Sequence, residues 1–277
     1  MWLVKAILGG LLTIAALVGV AWVGFLSEAR PFEIPSQKGN DLGTSPLPED
    51  LLAPIQHYAE MTFNDHRVPN IESAIIIGRA ELTLGGITFP ARFKFYVDAG
   101  EAYYHYIQLT WFGRPILTVD ERYKDGIATM NLPGNYIEND ANTNAAAHLA
   151  LWGEASWLPS VLFTDERVQW QAVDDHTAHM IVPDAPEEEW FTVHFDPETG
   201  QMSAMSTMRY RDPGDAPRLQ WTNHVLQWGT INGITIPVET STQWEDDEPW
   251  AVWHIEDIVL NVDVSRRMDQ FGGAYED

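Results

Sequence analysis

The turns between the strand-like segments of this chain are too short to join parallel strands. Segments rich in β-branched and aromatic residues follow one another at residues 73–84, 87–97, 102–111 and 115–123. Glycine-containing turns separate them, as at Gly85-Gly86 and Lys124-Asp125-Gly126. Because a parallel crossover needs about a dozen residues or more, neighbouring segments must pair in antiparallel fashion.

A second series of strand-like segments occupies residues 167–262, and helical patterns accompany both series. Residues 49–61 have the pattern of a short amphipathic helix, and an alanine-rich helical insertion at 139–163 separates the two series. A sheet of this size must curl, because twisted open sheets rarely exceed about ten strands. The sequence therefore predicts a mainly β (α+β) fold: a large curved antiparallel sheet or half-barrel with an N-terminal helix and a helical insertion, preceded by one transmembrane helix. Strand 249–262 is apolar on both faces, which indicates that a helix, or an apolar cavity, covers the second face.

The N-terminal segment predicts a membrane anchor. Residues 6–26 form an uninterrupted run of 21 uncharged residues, which spans about 31 Å as a helix and matches the hydrocarbon thickness of a bilayer. A cleaved signal peptide is the alternative, with a poor cleavage site at Ser27-Glu28-Ala29. We expect a single-pass membrane protein whose main domain is extracytoplasmic. The predicted organisation is an anchor at 1–29, a proline-rich linker at 30–48, the curved β domain at 49–265 and an acidic tail at 266–277.

The charge balance excludes nucleic acid as a partner. Forty acidic residues against sixteen basic ones give a net charge of −24, whereas binding to phosphates requires a basic surface. This acidic composition is typical either of an ordinary acidic domain or of a protein adapted to high salt. Cysteine is absent from the sequence, which excludes disulfides, thiolate metal sites and cysteine nucleophiles.

The stretch WGEASWLPSVLF, at 152–163, supplies the candidate site residues Trp152, Glu154 and Trp157. A carboxylate beside two tryptophans can have a raised pKa and act as a general acid. Its nearest titratable neighbour, His148, would lie about 120° away around a helix, so no local acid–base pair follows. We therefore favour a structural role, in which both tryptophans dock the insertion onto the sheet and Glu154 bonds to a loop or an arginine. The same three residues are the predicted ligand-binding set.

No motif predicts a metal or a cofactor. His176 and His179 are three residues apart, so in a strand they point to opposite faces. His105 and His194 fit half-buried strand positions. The acidic run at 245–248 lacks the ligand spacing of a calcium loop and fits a solvated hairpin tip.

Several separated motifs resemble one family of uncharacterised proteins. They are the stretch at 144–183, FDPETG at 195–200, MRYRD at 208–212, PWAVWHIEDIVLNVDV at 249–264 and TWFGRPILTVDERYKDG at 110–126. Together they resemble the DUF6544/DUF6920 family of membrane-anchored bacterial and archaeal proteins over most of residues 70–265. The resemblance implies no activity, and its layout is similar to the curved-sheet lipoprotein-carrier folds.

The sequence thus favours a non-enzymatic, membrane-tethered domain that binds an apolar ligand, such as a lipid, or a protein partner. The alternatives are a hydrolase-like enzyme that uses Glu154 with a distant histidine or aspartate, and a purely structural envelope protein. Oligomeric state is not predicted. A cavity of ligand size with converging polar groups would distinguish these alternatives.

Overall fold

A computed structural model describes residues 2–36, 39–63, 66–186, 188–214 and 216–272. Its helices are α1 Trp2–Phe25, α2 Ala53–Thr62, α3 Ala141–Glu154, α4 Val161–Thr164 and α5 Ser265–Asp269, with a 3-10 turn at Ala155–Trp157. Its strands are β1 Thr44–Pro46, β2 Arg67–Pro69, β3 Ser73–Leu84, β4 Ile87–Asp98, β5 Ala102–Trp111, β6 Arg114–Lys124, β7 Ile127–Leu132, β8 Asn135–Glu138, β9 Gln169–Asp174, β10 Thr177–Ile181, β11 Trp190–Phe195, β12 Met202–Tyr210, β13 Arg218–Ile231, β14 Ile234–Trp244 and β15 Ala251–Leu260.

Two antiparallel meanders form one large sheet. Its order in the described residues is β8-β7-β6-β5-β4-β3-β15-β14-β13-β12-β11-β10-β9, which makes 13 strands and leaves the sheet open. The meanders join where β3 pairs with β15, for example Ile76 opposite Ile258. The predicted mainly β fold is confirmed, and the short glycine turns do join antiparallel neighbours.

The sheet curls around α3. This helix contacts β6 and β7 on one side and β12 on the other. The β12 side chain Arg209 donates from Nε to the carbonyl oxygen of Ala146 at 2.9 Å, and Asn144 accepts from the β7 amide of Ala128 at 2.8 Å. Strands β6 and β12 are seven places apart, about 34 Å in a flat sheet, whereas a helix is only about 10–12 Å across. The two meanders must therefore bend toward each other, with α3 on the concave face.

The helical insertion is fixed to this face by local caps and by burial. Asp140 caps α3 by accepting from the Thr143 amide at 2.9 Å. Leu149 and Trp152 are among the most deeply buried side chains of the chain. The 3-10 turn then brings Trp157 beside Phe93 and Phe95, with ring centroids 6.4 and 5.9 Å apart.

One end of the sheet, which we call the upper rim, holds the β3–β4, β5–β6 and β7–β8 turns and the β12–β13 and β14–β15 connections. The last turns of α1 meet this rim. The indole nitrogen of Trp111 donates to the Ala21 carbonyl at 2.9 Å, and Phe25 packs edge-on against Phe89. By length and composition, Ile7–Phe25 is apolar enough to cross a membrane, a property that a signal sequence shares.

The segment predicted as a linker is packed rather than free. Residues 29–36 and 39–43, which we call the strap, run down the outer face of the sheet. Ala29 is buried, Phe32 lies 4.3 Å beneath the Arg92 guanidinium, and the Asn40 amide donates to the Asn261 carbonyl at 2.9 Å. The strap then enters β1, which pairs with β2. Proline content indicated an extended chain, but Phe32 gives that chain an apolar contact that holds it on the sheet.

The predicted acidic tail also differs from the structure at its start. Residues 265–269 form α5, in which Arg267 and Met268 are buried. The Arg267 guanidinium stacks 3.9 Å from the centre of the Tyr104 ring. Burial of these side chains ties the start of the predicted tail to the outer face, and residues 273–277 of that tail lie outside the described residues.

Candidate functional site

A cavity of about 100 Å³ lies between the insertion and the concave face of the sheet. Aromatic and sulfur-containing side chains make most of its apolar wall, chiefly Phe95, Met202, Trp157, Trp221, Trp250 and Trp253. Polar side chains converge on the same space from α3 and from strands of both meanders, namely His105, Glu121, Glu154, Arg209, Thr240 and Thr242. An apolar space with a few converging polar groups is the usual form of a ligand site.

The last residue of α3, Glu154, has its partner on β5. One of its carboxylate oxygens lies 2.8 Å from Nε2 of His105, which is buried. The other ring nitrogen of His105 faces Glu121 on β6, with 3.7 Å between Nδ1 and Oε2. Glu121 in turn accepts a hydrogen bond of 2.5 Å from the hydroxyl of Tyr103. We call Glu154, His105, Glu121 and Tyr103 the buried charge network.

The pKa values follow from burial and from these pairings. Burial alone would lower the pKa of His105, but the carboxylates of Glu154 and Glu121 outweigh it and raise that pKa to about 9. Burial works to raise the pKa of Glu121, yet His105 and the Tyr103 hydroxyl lower it to about 2. Burial dominates at Glu154 and raises its pKa. At neutral pH His105 is therefore an imidazolium held against the Glu121 carboxylate, and Arg209 adds a second positive charge that acts on both carboxyl groups.

The three residues predicted as ligand-binding do not all reach the cavity. Glu154 and Trp157 line it. Trp152 does not, since it is buried elsewhere, with the Arg167 guanidinium 5.6 Å from its ring centre. The predicted partner of Glu154 was a loop or an arginine, whereas its hydrogen-bond partner is the imidazole of His105.

Sequence reasoning missed His105, Glu121 and Tyr103 as members of a site. His105 and Glu121 are direct partners across β5 and β6, and Tyr103 is two residues before His105 on the same face. A histidine among aromatic residues on the inward face of a strand was the available signal. This signal indicates a site only when the strand register is known, because the register places the Glu121 carboxylate opposite His105.

Several hydrogen-bonding atoms of the cavity lining have no partner within the described part of the chain. They are the indole nitrogens of Trp157, Trp221 and Trp250 and the hydroxyl of Thr240, all of them buried. Buried indole N–H and hydroxyl groups are normally hydrogen-bonded, because leaving one unpaired costs about 1–3 kcal/mol. These atoms have almost no accessible surface, so they lie behind the open space, and a ligand reaches them only where a neighbouring side chain moves.

A larger cleft of about 690 Å³ adjoins the cavity and opens at the upper rim. The two spaces share Glu121, Arg209 and Trp250 as common wall. Apolar side chains of β7, β8 and α3 line one side of the cleft, among them Met130, Leu132, Ile137 and Ala147. The shared residues place the cavity next to the inner end of the cleft.

The described residues contain no group of three or more His, Asp or Glu side chains arranged to hold a metal ion. Within the buried charge network, Glu154 and Glu121 face the two nitrogens of His105 rather than a common point. His179 stacks on Trp190 with ring centres 5.3 Å apart.

Comparisons with known proteins give a family and a set of distant structural neighbours. Residues 43–255 match the model of DUF6544, a family of unknown function. A DUF1329 family protein from Desulfovibrio piger is similar at 12% identity, 73% coverage of this chain, 90% of that chain and a TM-score of 0.43. A LolA superfamily protein from Nitrosomonas europaea is similar at 10% identity, with 78% and 94% coverage and a TM-score of 0.43. A putative outer membrane lipoprotein-sorting protein domain from Vibrio parahaemolyticus is similar at 7% identity, with 70% and 88% coverage and a TM-score of 0.40. A search of curated proteins found no significant match.

Proposed function

The chain belongs to the DUF6544 family, and from the geometry of its site we propose that it is a membrane-tethered protein that binds an amphiphilic, lipid-like ligand. In this proposal α1 is retained as a single-pass anchor and the β domain is extracytoplasmic. The polar end of the ligand occupies the inner cavity, and its apolar part lies along the cleft. A protein partner is the less favoured alternative, since the concave face encloses space rather than only packed side chains.

The observation that carries the proposal is an aromatic cavity, lined also by polar side chains, beside a larger cleft with apolar walls. A purely apolar ligand in the cavity would cover the side chains of Glu121, Glu154 and Arg209 with hydrocarbon, at a cost in free energy. A ligand with a polar end can form hydrogen bonds with these groups instead. The two carboxylates of the lining face one imidazolium and one guanidinium, so the site favours a neutral or zwitterionic group over an ion.

The volumes set the size of each part of the ligand. The cavity, at about 100 Å³, is smaller than the usual small-molecule site of about 300–1,000 Å³, so it suits a compact polar group. The cleft falls within the usual range for small-molecule sites, about 300–1,000 Å³. An amphiphile with one acyl chain and a compact polar head fits these two volumes.

Mass spectrometry of lipids that co-purify with the full-length protein tests the proposal. We expect a stoichiometric amphiphile, and we expect it to be depleted when the cavity lining changes by Val225→Phe, which adds bulk to the cavity wall. Leu226→Phe is the matched control, because Leu226 is an exposed neighbour outside the cavity lining. Equal lipid content in both variants would contradict binding in this cavity.

A hydrolase-like enzyme is the second candidate, favoured by a buried Glu154 whose pKa burial raises. Both nitrogens of His105 face carboxylates, so His105 has no free nitrogen to accept a proton from a substrate. Glu154 would have to act as the general acid or base itself. Hydrolysis of p-nitrophenyl esters that disappears in Glu154→Gln, with lipid content unchanged, would establish this alternative.

A further inference from the structure

We propose that the upper rim is seated in the lipid–water interface, so that the outer cleft opens toward the bilayer and receives its ligand from the lipid phase. This inference rests on the proposed function, because it requires α1 to be a retained anchor and the cleft to bind an amphiphile. It adds the partner surface, a lipid bilayer, and the route by which the ligand enters.

The first observation is that the domain has no free spacer between itself and α1. The amide of Phe112, in the β5–β6 turn, donates to the Gly24 carbonyl at 2.9 Å. A side chain at Gly24 would collide with the indole ring of Trp111, so the helix and the rim are in direct contact. The apolar segment Ile7–Phe25 ends at this contact, and nearly all of its length projects beyond the domain with exposed side chains. A bilayer that holds α1 is therefore adjacent to the rim.

The second observation is the chemistry of the rim turns nearest to α1. Large apolar side chains are exposed on them, namely Leu84 and Ile87 of the β3–β4 hairpin and Phe112 and Ile116 of the β5–β6 hairpin. Arg114 is exposed among them, in a position to meet lipid phosphate. Exposed apolar and aromatic residues with a neighbouring cation are typical of segments that lie in a membrane interface.

The turns at the opposite end of the sheet have a different composition. They are Asp98-Ala99-Gly100, Lys124-Asp125-Gly126, Asp174-Asp175-His176 and Asn232-Gly233. Charged and amide side chains of this kind remain in water. The β3–β4 and β5–β6 hairpins beside α1 are therefore less polar than these turns, as the position of α1 requires.

The third observation is that the cleft opens between these same turns. Thr83, Leu84 and Gly85 form part of its lining at the rim. Directly beside this hairpin lies the acidic β14–β15 connection, from which Asp247 and Glu248 line the cleft and whose Trp250 carbonyl accepts from the Thr83 amide at 2.7 Å. Carboxylates avoid the interface of an anionic membrane, so that connection stays in water and the rim meets the bilayer at a tilt. An acyl chain can then enter the cleft without crossing bulk water.

Site-specific fluorescence in vesicles tests this placement. The natural chain has no cysteine, so single cysteines can be introduced without background. We would label Ile87→Cys and Ile116→Cys at the rim and Ile127→Cys at the opposite end with an environment-sensitive dye; the three side chains are similarly exposed. The full-length protein is reconstituted in vesicles of phosphatidylcholine and phosphatidylglycerol, with and without nitroxide-labelled lipid.

We expect blue-shifted emission and strong quenching by the nitroxide lipid at both rim positions, and neither effect at Ile127→Cys. Absence of quenching at the rim would overturn the proposal, and equal quenching at all positions would show a domain lying flat on the membrane, which also overturns it. Lipid co-purification reports on ligand binding separately. A protein that retains lipid but shows an unquenched rim would refute the seating and leave the proposed function standing.

Entry of the ligand is tested by transfer kinetics. The double variant Ile87→Asp with Ile116→Asp should take up pyrene-labelled phosphatidylcholine from vesicles severalfold more slowly than wild type. Its equilibrium affinity for the same lipid in detergent micelles should be unchanged, because neither side chain lines the cleft. Ile127→Asp is the control. Unaltered uptake by the double variant would overturn entry through the rim.

Discussion

Two threonines on one strand give the sharpest test of the cavity as a binding site. Thr240 and Thr242 are two residues apart on β14, both are buried, and both line the cavity. The hydroxyl of Thr242 donates to Asn223 Oδ1 at 2.9 Å and accepts from the Trp253 indole at 3.1 Å. The hydroxyl of Thr240 has no partner within the described part of the chain. Replacement by valine makes the same change at both positions, a methyl group in place of the hydroxyl.

The expected effects on stability have opposite signs. Thr242→Val breaks two hydrogen bonds, each worth about 1 kcal/mol, and leaves a buried indole N–H unpaired. We expect a loss of about 2 kcal/mol in the free energy of unfolding, or a Tm lower by roughly 4–8 °C for a domain of this size. Thr240→Val removes a buried hydroxyl that has no protein partner, and should raise the Tm of the lipid-free protein by roughly 2–4 °C.

The second measurement is the affinity of the Thr240→Val variant for the ligand. If the ligand bonds to the Thr240 hydroxyl, Thr240→Val weakens the binding of pyrene-labelled phosphatidylcholine by about fivefold, the value of one hydrogen bond. The measurements are differential scanning calorimetry of delipidated protein and titration by fluorescence. Equal destabilisation by the two variants would show that Thr240 is satisfied inside the protein. A more stable Thr240→Val with unchanged affinity would remove this hydroxyl from the ligand site.

Three further outcomes follow from the buried charge network and the aromatic wall. Because the pKa of His105 is about 9 when folded and about 6.5 when unfolded, its pairing stabilises the fold fully below about pH 6.5. That contribution, at most about 3 kcal/mol, is lost as the pH rises through 9. The Tm measured from pH 6 to 10 should therefore fall steeply in the wild type and not in His105→Gln. Trp157→Ala should cost about 3–5 kcal/mol because its ring packs against Phe93, whereas Trp190→Ala, at a 43% exposed position, should cost far less in urea unfolding. Glu154→Gln should leave lipid co-purification intact, since the Glu154 side chain is bonded to His105; loss of the lipid in a stably folded variant would place Glu154 in the ligand contact.

Local rules were sufficient to predict the antiparallel pairing. A turn such as Lys124-Asp125-Gly126 admits only an antiparallel neighbour, and its geometry needs no distant part of the chain. The strap was not predictable in this way. Its prolines indicate extended backbone correctly, but whether extended backbone is free or packed depends on a surface such as that formed by Arg92 and Tyr106 on other strands.

The candidate site shows the same division between local and distant information. Glu154 and Trp157 stand out in the sequence because they are close together in a helical segment, and both do line the cavity. The partner of Glu154 is 49 residues away, on β5, and the hydrogen bond between them depends on how far the sheet curls. Curling is set by packing of both meanders around α3, and no single segment encodes it.

The pairing of β3 with β15 also has a consequence during synthesis. Strand β3 leaves the ribosome early, whereas its partner β15 is the last strand of the described residues to be made. Until then β3 is the edge of a half-built meander, and it carries the consecutive isoleucines Ile75, Ile76 and Ile77 with unpaired backbone groups on one side. Such an edge readily recruits a strand from another nascent chain. Chains truncated before β15 should therefore aggregate rather than form a smaller stable sheet.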